Sequence, residues 1–299
     1  MRILFLGSGE FGQPTLELLA KEHDLVGVVT SPDRPAGRNR SDTPTPIGAW
    51  AEKHGVPLFK TDNVNADEFV QKIDNLSPDA VVVIAFGQKL SVDFIGNRPT
   101  INLHASLLPR WRGAAPINAA IVHGDTKSGV SVITLAEKMD AGLILGQHST
   151  VIAPTETAGE LHDRLALLGP ALILEVLSGD FSGELQDEGK VTYAPKMSRN
   201  DAKLDLSQSA IEVSNAIRGY SPWPGCHLTI VGDDCKIIQA IPKESNGEIG
   251  EVLEDRTIAV GDGSIEILDL KPSGGKMMTW KDFCNGRSVK AGSCCEVPE

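Results

Sequence analysis

The sequence predicts an α/β domain on a mostly parallel sheet, followed by a smaller β-rich domain. Three observations carry this. Short β-branched runs alternate with helical patterns through the first half, a polar stretch without apolar periodicity follows, and short strands between Gly and Asp turns fill the rest. At 299 residues the chain has length for two ordinary domains.

Taken in order, ILFL is a buried strand, TLELLAKEH a helix, LVGVVT a strand and IGAWAEKHG a helix. FVQKIDNL, AVVVIAF, LSVDFIG and TINLHAS continue the alternation, and INAAIVHG is helical after a proline-rich turn. Strand, helix, strand at this spacing argues a parallel sheet covered on both faces. GVSVITLA and LILGQHSTVIA are two further strands, and TAGELHDRLALLGPALILEVLSG is one long amphipathic helix. The expected boundaries are a first domain over residues 1–186, a linker over 187–205 and a second domain over 206–299. In the second, SQSAIEVSNAIRGY is a helix, and CHLTIV, CKIIQAI, GEIGEVLE, RTIAVGDG and SIEILDLKP are strands of a small barrel or sandwich.

Composition narrows the class. Apolar residues make up 41% and charged residues 23%, as in globular proteins generally. No apolar stretch is long enough to span a bilayer, and RILFLG is too short for a signal peptide, so a cytoplasmic protein is expected, as a monomer and without a membrane partner. The net charge of −12 disfavours nucleic acid unless the basic residues cluster. All five cysteines lie between Cys226 and Cys295 without a C-x-x-C spacing, which favours reduced thiols over a zinc site, and no metal is expected.

GSGEFG after the first strand fits G-x-G-x-x-G, with Gly7, Gly9 and Gly12. A dinucleotide site also wants an acidic residue at the end of the second strand. That strand ends at Thr30-Ser31, Asp33 comes late, and Glu10 would repel a pyrophosphate. The loop is either a tight turn or one whose amides face a substrate at the sheet's carboxyl edge.

The chemistry concentrates in TINLHASLLPRWRG and GVSVITLAEKMDAG. Asn102 and His104 stand two apart on a predicted strand and so share a face. An amide and an imidazole there can donate to an oxygen gaining charge. Asp140, in a turn after a later strand, can pair with His104 and hold its orientation. With no serine or cysteine nucleophile in the pattern, direct transfer is favoured over a covalent intermediate. Taken singly, a strand histidine is more often a satisfied polar residue, and an Asp before Ala-Gly a turn residue.

NLHASLLPRWRGAAPI and GVSVITLAEKMDAG resemble the signature blocks of the folate-dependent formyltransferases. PDRPAGR after the second strand, with YAPKMS and IRGYSPWPG later, resembles the branch that acts on aminoacylated tRNA. The resemblance implies a formyltransferase Rossmann-like fold with an oligonucleotide-binding-like barrel. It implies 10-formyltetrahydrofolate as donor, no metal, and the α-amine of methionyl initiator tRNA as acceptor. It further implies that Asn102 and protonated His104 stabilise an oxyanion, sustained by Asp140. Ser106, Leu107, Leu108 and Pro109 would line the folate site, with Ile84, Ala85, Phe86 and Gly87 beside the pterin. Arg34, Arg38 and Arg40 of the PDRPAGR loop, with Arg110 and Arg112 beside the catalytic strand, would contact the RNA. The loop departs from the family pattern, reading Asn39-Arg40-Ser41-Asp42 where lysines are usual, and the second domain is acidic overall. Formyl transfer to an amino sugar, a nicotinamide oxidoreductase and a non-catalytic RNA-binding module are the competing readings.

Overall fold

The computed structural model describes residues 1–36 and 41–298. It divides into two compact units. The first comprises Met1–Arg112, Gly129–Ser149 and His162–Thr192, and the second Gly113–Ser128, Thr150–Leu161 and Tyr193–Glu299. Two stretches of the expected first domain, Gly113–Ser128 and Thr150–Leu161, thus fall within the second unit.

The first unit is built on a seven-stranded sheet. Its strands are β1 (Arg2–Gly7), β2 (Asp24–Thr30), β3 (Leu58–Lys60), β4 (Ala80–Ile84), β5 (Thr100–His104), β6 (Lys127–Thr134) and β7 (Ile144–Val151), in the order β7-β6-β5-β4-β1-β2-β3. β1 to β5 run parallel, and β6 runs antiparallel to β5. β1 to β4 are almost wholly buried apolar strands, apart from the ends of β1 and β2 and all of the short edge strand β3, as a sheet covered on both faces requires. The order turns back between β1 and β4, and open α/β sheets hold ligands at the carboxyl edge of such a point.

Helix α1 (Gln13–Glu22) follows β1 through a 3-10 turn at Glu10–Gly12. A Cβ on Gly7 would lie 2.7 Å from the Phe5 ring and 2.8 Å from the Ile84 carbonyl, and one on Gly12 3.0 Å from Phe5. These glycines let the turn sit against the core, which accounts for them without a dinucleotide.

The long helix expected over residues 157–179 is two helices, Ala158–Ala166 and Gly169–Leu177. Pro170 lies in the first turn of the second. It has no N–H for an i−4 carbonyl, so one continuous helix is interrupted there. The PDRPAGR loop begins a small hairpin, Arg34–Ala36 with Ser41–Thr43.

In the second unit, β8 (Cys226–Ile230), β9 (Asp233–Lys243), β10 (Ile258–Ala259), β11 (Ser264–Pro272), β12 (Met278–Thr279) and β13 (Cys295–Glu296) form one sheet, ordered β10-β11-β9-β8-β13, with β12 on β11. Bridges from Val252 to Ile258 and from Glu251 to Cys294 tie both edges to one segment, so the sheet nearly closes into a barrel. GEIGEVLE, expected as a strand, contributes only those bridges. Helix Trp280–Arg287, capped by Thr279, was not expected. The expected linker is ordered: it holds 3-10 turns at Glu188–Lys190 and Arg199–Ala202, and Ala202 and Leu204 join the second unit's core.

Candidate active site

Asn102 and His104 end β5, one strand from the switch point. The structure brings Asp140 to His104: its Oδ2 lies 3.7 Å from Nδ1, and the two side chains are only 16% and 7% exposed. Asp140 has φ 53°, a left-handed conformation that Asp tolerates better than most residues. Two residues on, a Cβ at Gly142 would fall 1.7 Å from the Thr134 carbonyl, so only glycine brings this loop so close to β6.

His104 Nε2 lies 2.8 Å from the Trp111 carbonyl. A carbonyl only accepts, which assigns that nitrogen as the donor. The ring is thus held from both sides, and a proton on each nitrogen satisfies both neighbours. This differs from the expectation that an imidazole N–H points freely at the reacting oxygen. The half-buried Asn102 carboxamide, by contrast, has no hydrogen-bond partner among the described residues. Of the two, it is the donor left available.

The loop after β5 is fixed by hydrogen bonds that sequence patterns did not reveal. The Ser131 hydroxyl donates to the Ser106 carbonyl (2.6 Å) and accepts from the Leu108 amide (3.1 Å) and the Gln147 amide (2.7 Å). Ser106 and Leu108 are 1% and 3% exposed, so their side chains hold the loop from inside, leaving the half-buried Leu107 and Pro109 as its outward groups. Ile84 and Phe86 need the same correction. At 0% and 4% exposure they belong to the core, and Ala85 and Gly87, both at positive φ, form the exposed part of that turn.

The arginines separate. Arg110 is exposed, with its guanidinium 4.7 Å from the centre of the Trp111 ring, itself buried. Arg112 is 2% exposed and cannot reach an RNA. Its Nε donates to Gln186 Oε1 at 3.0 Å and its NH2 to Glu188 Oε1 at 2.7 Å. That guanidinium holds the Glu188 carboxyl below the usual carboxylate range. Arg34 is 77% exposed and faces an equally exposed Asp62 at 3.8 Å, a pair of little strength. Arg38 and Arg40 lie outside the described residues.

In the second unit Arg218 is buried, donating to the Glu156 carbonyl and Asn215 Oδ1. His227, Lys236 and Lys271 stand in register across β8, β9 and β11. Burial, and then the neighbouring Lys271, push the Lys236 amine down. Among the described residues no group of three or more His, Cys, Asp or Glu could hold a metal, and no helix is long and apolar enough to cross a membrane.

An amide, an imidazole and a carboxylate thus stand together at the carboxyl edge of a parallel sheet, an arrangement suited to group transfer. The chain belongs to the formyl transferase family: residues 1–177 match that family and residues 196–288 match its C-terminal domain. It is 40% identical over 299 residues to the methionyl-tRNA formyltransferase of Ectopseudomonas mendocina, covering 96% of this chain and 95% of that protein. It is 37% identical to the enzyme of the same name from Geobacter metallireducens, covering 98% and 97%. Among solved structures, the N-formyltransferase from Helicobacter canadensis, in complex with folinic acid and dTDP-3-aminofucose, is similar with a TM-score of 0.66 at 18% identity, covering 89% of this chain and 97% of that one. HypX from Aquifex aeolicus, in complex with tetrahydrofolic acid, gives 0.63 at 19% identity, over 97% of this chain and 48% of that one.

Proposed function

We propose that the protein transfers the formyl group of 10-formyltetrahydrofolate to the α-amine of methionine esterified to initiator tRNA, supplying the formylated initiator for translation. The observation that carries the chemistry is the approach of Asp140 to His104 beside the Asn102 amide, which has no partner among the described residues. The acceptor follows from likeness over nearly the whole chain to methionyl-tRNA formyltransferases.

In this reading the neutral amine attacks the formyl carbon, and negative charge builds on the formyl oxygen. The Asn102 N–H donates to that oxygen, a contribution of about 3–4 kcal/mol for such a donor. His104, its Nε2–H given to Trp111, contributes as a nearby positive charge anchored by Asp140. The bond from the formyl carbon to the folate nitrogen then breaks. The amine's proton passes by way of Asp140 and water to that nitrogen, so nothing remains bound to the enzyme. The backbone of Ala85 and Gly87 and the loop carrying Leu107 and Pro109 follow adjacent strands at the same edge. They would hold the folate, whose flat ring suits an apolar, backbone-lined wall.

The RNA contacts fall to the exposed Arg34 and Arg110 in the first unit, and in the second to the exposed Lys271, with the half-buried Lys236 and His227 in register beside it, and the 53% exposed Trp223. Five unpaired thiols suit a reducing cytoplasm, where the enzyme works as a monomer. The test is incubation with 10-formyltetrahydrofolate and charged initiator tRNA. Formylmethionine released from the RNA is expected. Formylation of an amino-sugar nucleotide in its place, or of neither, would overturn the reading.

A further inference from the structure

We infer that Gln186, locked by Arg112, is a positioning residue that sets the distance between Asp140 and His104. The inference rests on the reading above that these two side chains act in formyl transfer.

His104 is gripped by two separate segments of chain. Its Nε2 is held by the Trp111 carbonyl, and its Nδ1 faces Asp140. One side chain joins those segments. Gln186 Nε2 donates to the Asp140 carbonyl at 2.7 Å and to the Gly142 carbonyl at 2.8 Å, so both amide protons are spent on the loop that carries the carboxylate. Its Oε1 accepts from Nε of Arg112, the residue after Trp111. The guanidinium only donates, which fixes which end of the Gln amide is oxygen and turns the NH2 fork toward the two carbonyls. The result is a closed ring of contacts: His104, Trp111, Arg112, Gln186, Asp140 and back to His104. Thr192 anchors its outer side, with Oγ1 accepting from the Trp111 amide and its carbonyl from the Arg112 amide, both at 2.9 Å.

The ring is buried where it counts. Gln186 is 9% and Arg112 2% exposed, so water does not replace a lost bond. Asp140 sits at positive φ in a loop whose preceding residues, Ala136–Met139, are exposed, and the Gln186 fork fixes it on its main chain. Gln186 itself faces two main-chain carbonyls and the Arg112 guanidinium, and no reacting group, hence a positioning role.

The test uses Gln186→Glu, which still accepts from Arg112 but sets oxygens against the two carbonyls, and Gln186→Met, which keeps the length and drops every hydrogen bond. Formylation is followed at saturating charged tRNA, and 15N-histidine spectra report the His104 ring nitrogens, assigned with His104→Asn. Both variants are expected to lower kcat by about 30- to 100-fold, the range a misplacement near 1 Å produces. KM for the folate should stay within about two-fold, and the His104 Nδ1 resonance should move. Arg112→Lys, which lacks the Nε donor, should shift both readouts in the same direction and carries the test should neither Gln186 variant fold. Folded variants with kcat within about three-fold of wild type, or with lowered kcat and an unmoved resonance, overturn the inference. Failure of the wild type to formylate charged tRNA would instead sink the functional reading, and the resonance would still decide whether the ring holds Asp140 in place.

Discussion

Replacing Asp140 by Asn separates charge from shape. Gln186 binds the main-chain carbonyls of residues 140 and 142, so the substitution leaves the loop's anchors intact. What it removes is a negative charge 3.7 Å from His104 Nδ1, both groups being largely shielded from water. Coulomb's law at an effective dielectric of about 20 gives about 4.5 kcal/mol at that separation. That is an upper limit of about 2,000-fold in rate, reduced because the carboxylate no longer has to be desolvated. A fall in kcat of about 100- to 1,000-fold is expected, with Tm within about 3 °C of wild type because no packing is lost. Single-turnover formylation of charged initiator tRNA at saturating folate measures the chemical step directly. A folded Asp140→Asn enzyme within ten-fold of wild type would show that the carboxylate's charge is not used, and the mechanism would have to be rebuilt around Asn102 alone.

Asn102→Ala should lower kcat by about 10²–10³-fold in the same assay, since it deletes the donor that has no other partner among the described residues; a small change there would assign the oxyanion to another group. Arg34→Ala and Lys271→Ala should leave kcat unchanged while each lowers the salt slope of tRNA binding by about 1, and an unchanged slope would take that residue out of the interface. Burial pushes the thiols of Cys226 and Cys295 up to about 12 and that of Cys235 to about 11, while Cys294 is exposed. Native protein at pH 8 should therefore titrate one thiol quickly with Ellman's reagent and all five after unfolding. A raised thiol keeps its proton in the native state where the unfolded chain has lost it. Stability is thus full below about pH 8.5 and falls between there and about pH 12, by up to about 1.4 kcal/mol per pH unit per thiol. Flat urea midpoints across that window would contradict the burial.

Much of the first unit was legible because its signals are local. The buried strands β1, β2, β4 and β5 are short β-branched or leucine-rich runs, and their length marks them as strands rather than helices. The errors have local causes as well. Pro170 broke a helix whose apolar pattern continues through it. Gly250, at positive φ, left GEIGEVLE in a turn with isolated bridges. The stretch after residue 186 looked like a linker because its buried residues, Ala194, Ala202 and Leu204, are spaced without period.

The site divides along a different line. Asn102 and His104 could be paired from sequence because strand geometry puts i and i+2 on one face, and Asp140 because its turn follows a strand. What holds them could not. Ser131 reaches Ser106 across 25 positions, and Gln186 reaches Asp140 across 46 and Arg112 across 74. No periodicity encodes such contacts, since each is one buried polar atom meeting another when the sheet closes. The same blindness misplaced Arg112, which resembled its neighbour Arg110 by composition. Whether an arginine faces water or Gln186 depends on a residue far along the chain. A polar side chain in an irregular segment, such as Gln186 in LQDEG, therefore carries no local mark of its importance. Its burial is the mark, because a buried amide persists only where its donors and acceptor are met, and here the donors are met by the loop that carries Asp140 and the acceptor by Arg112.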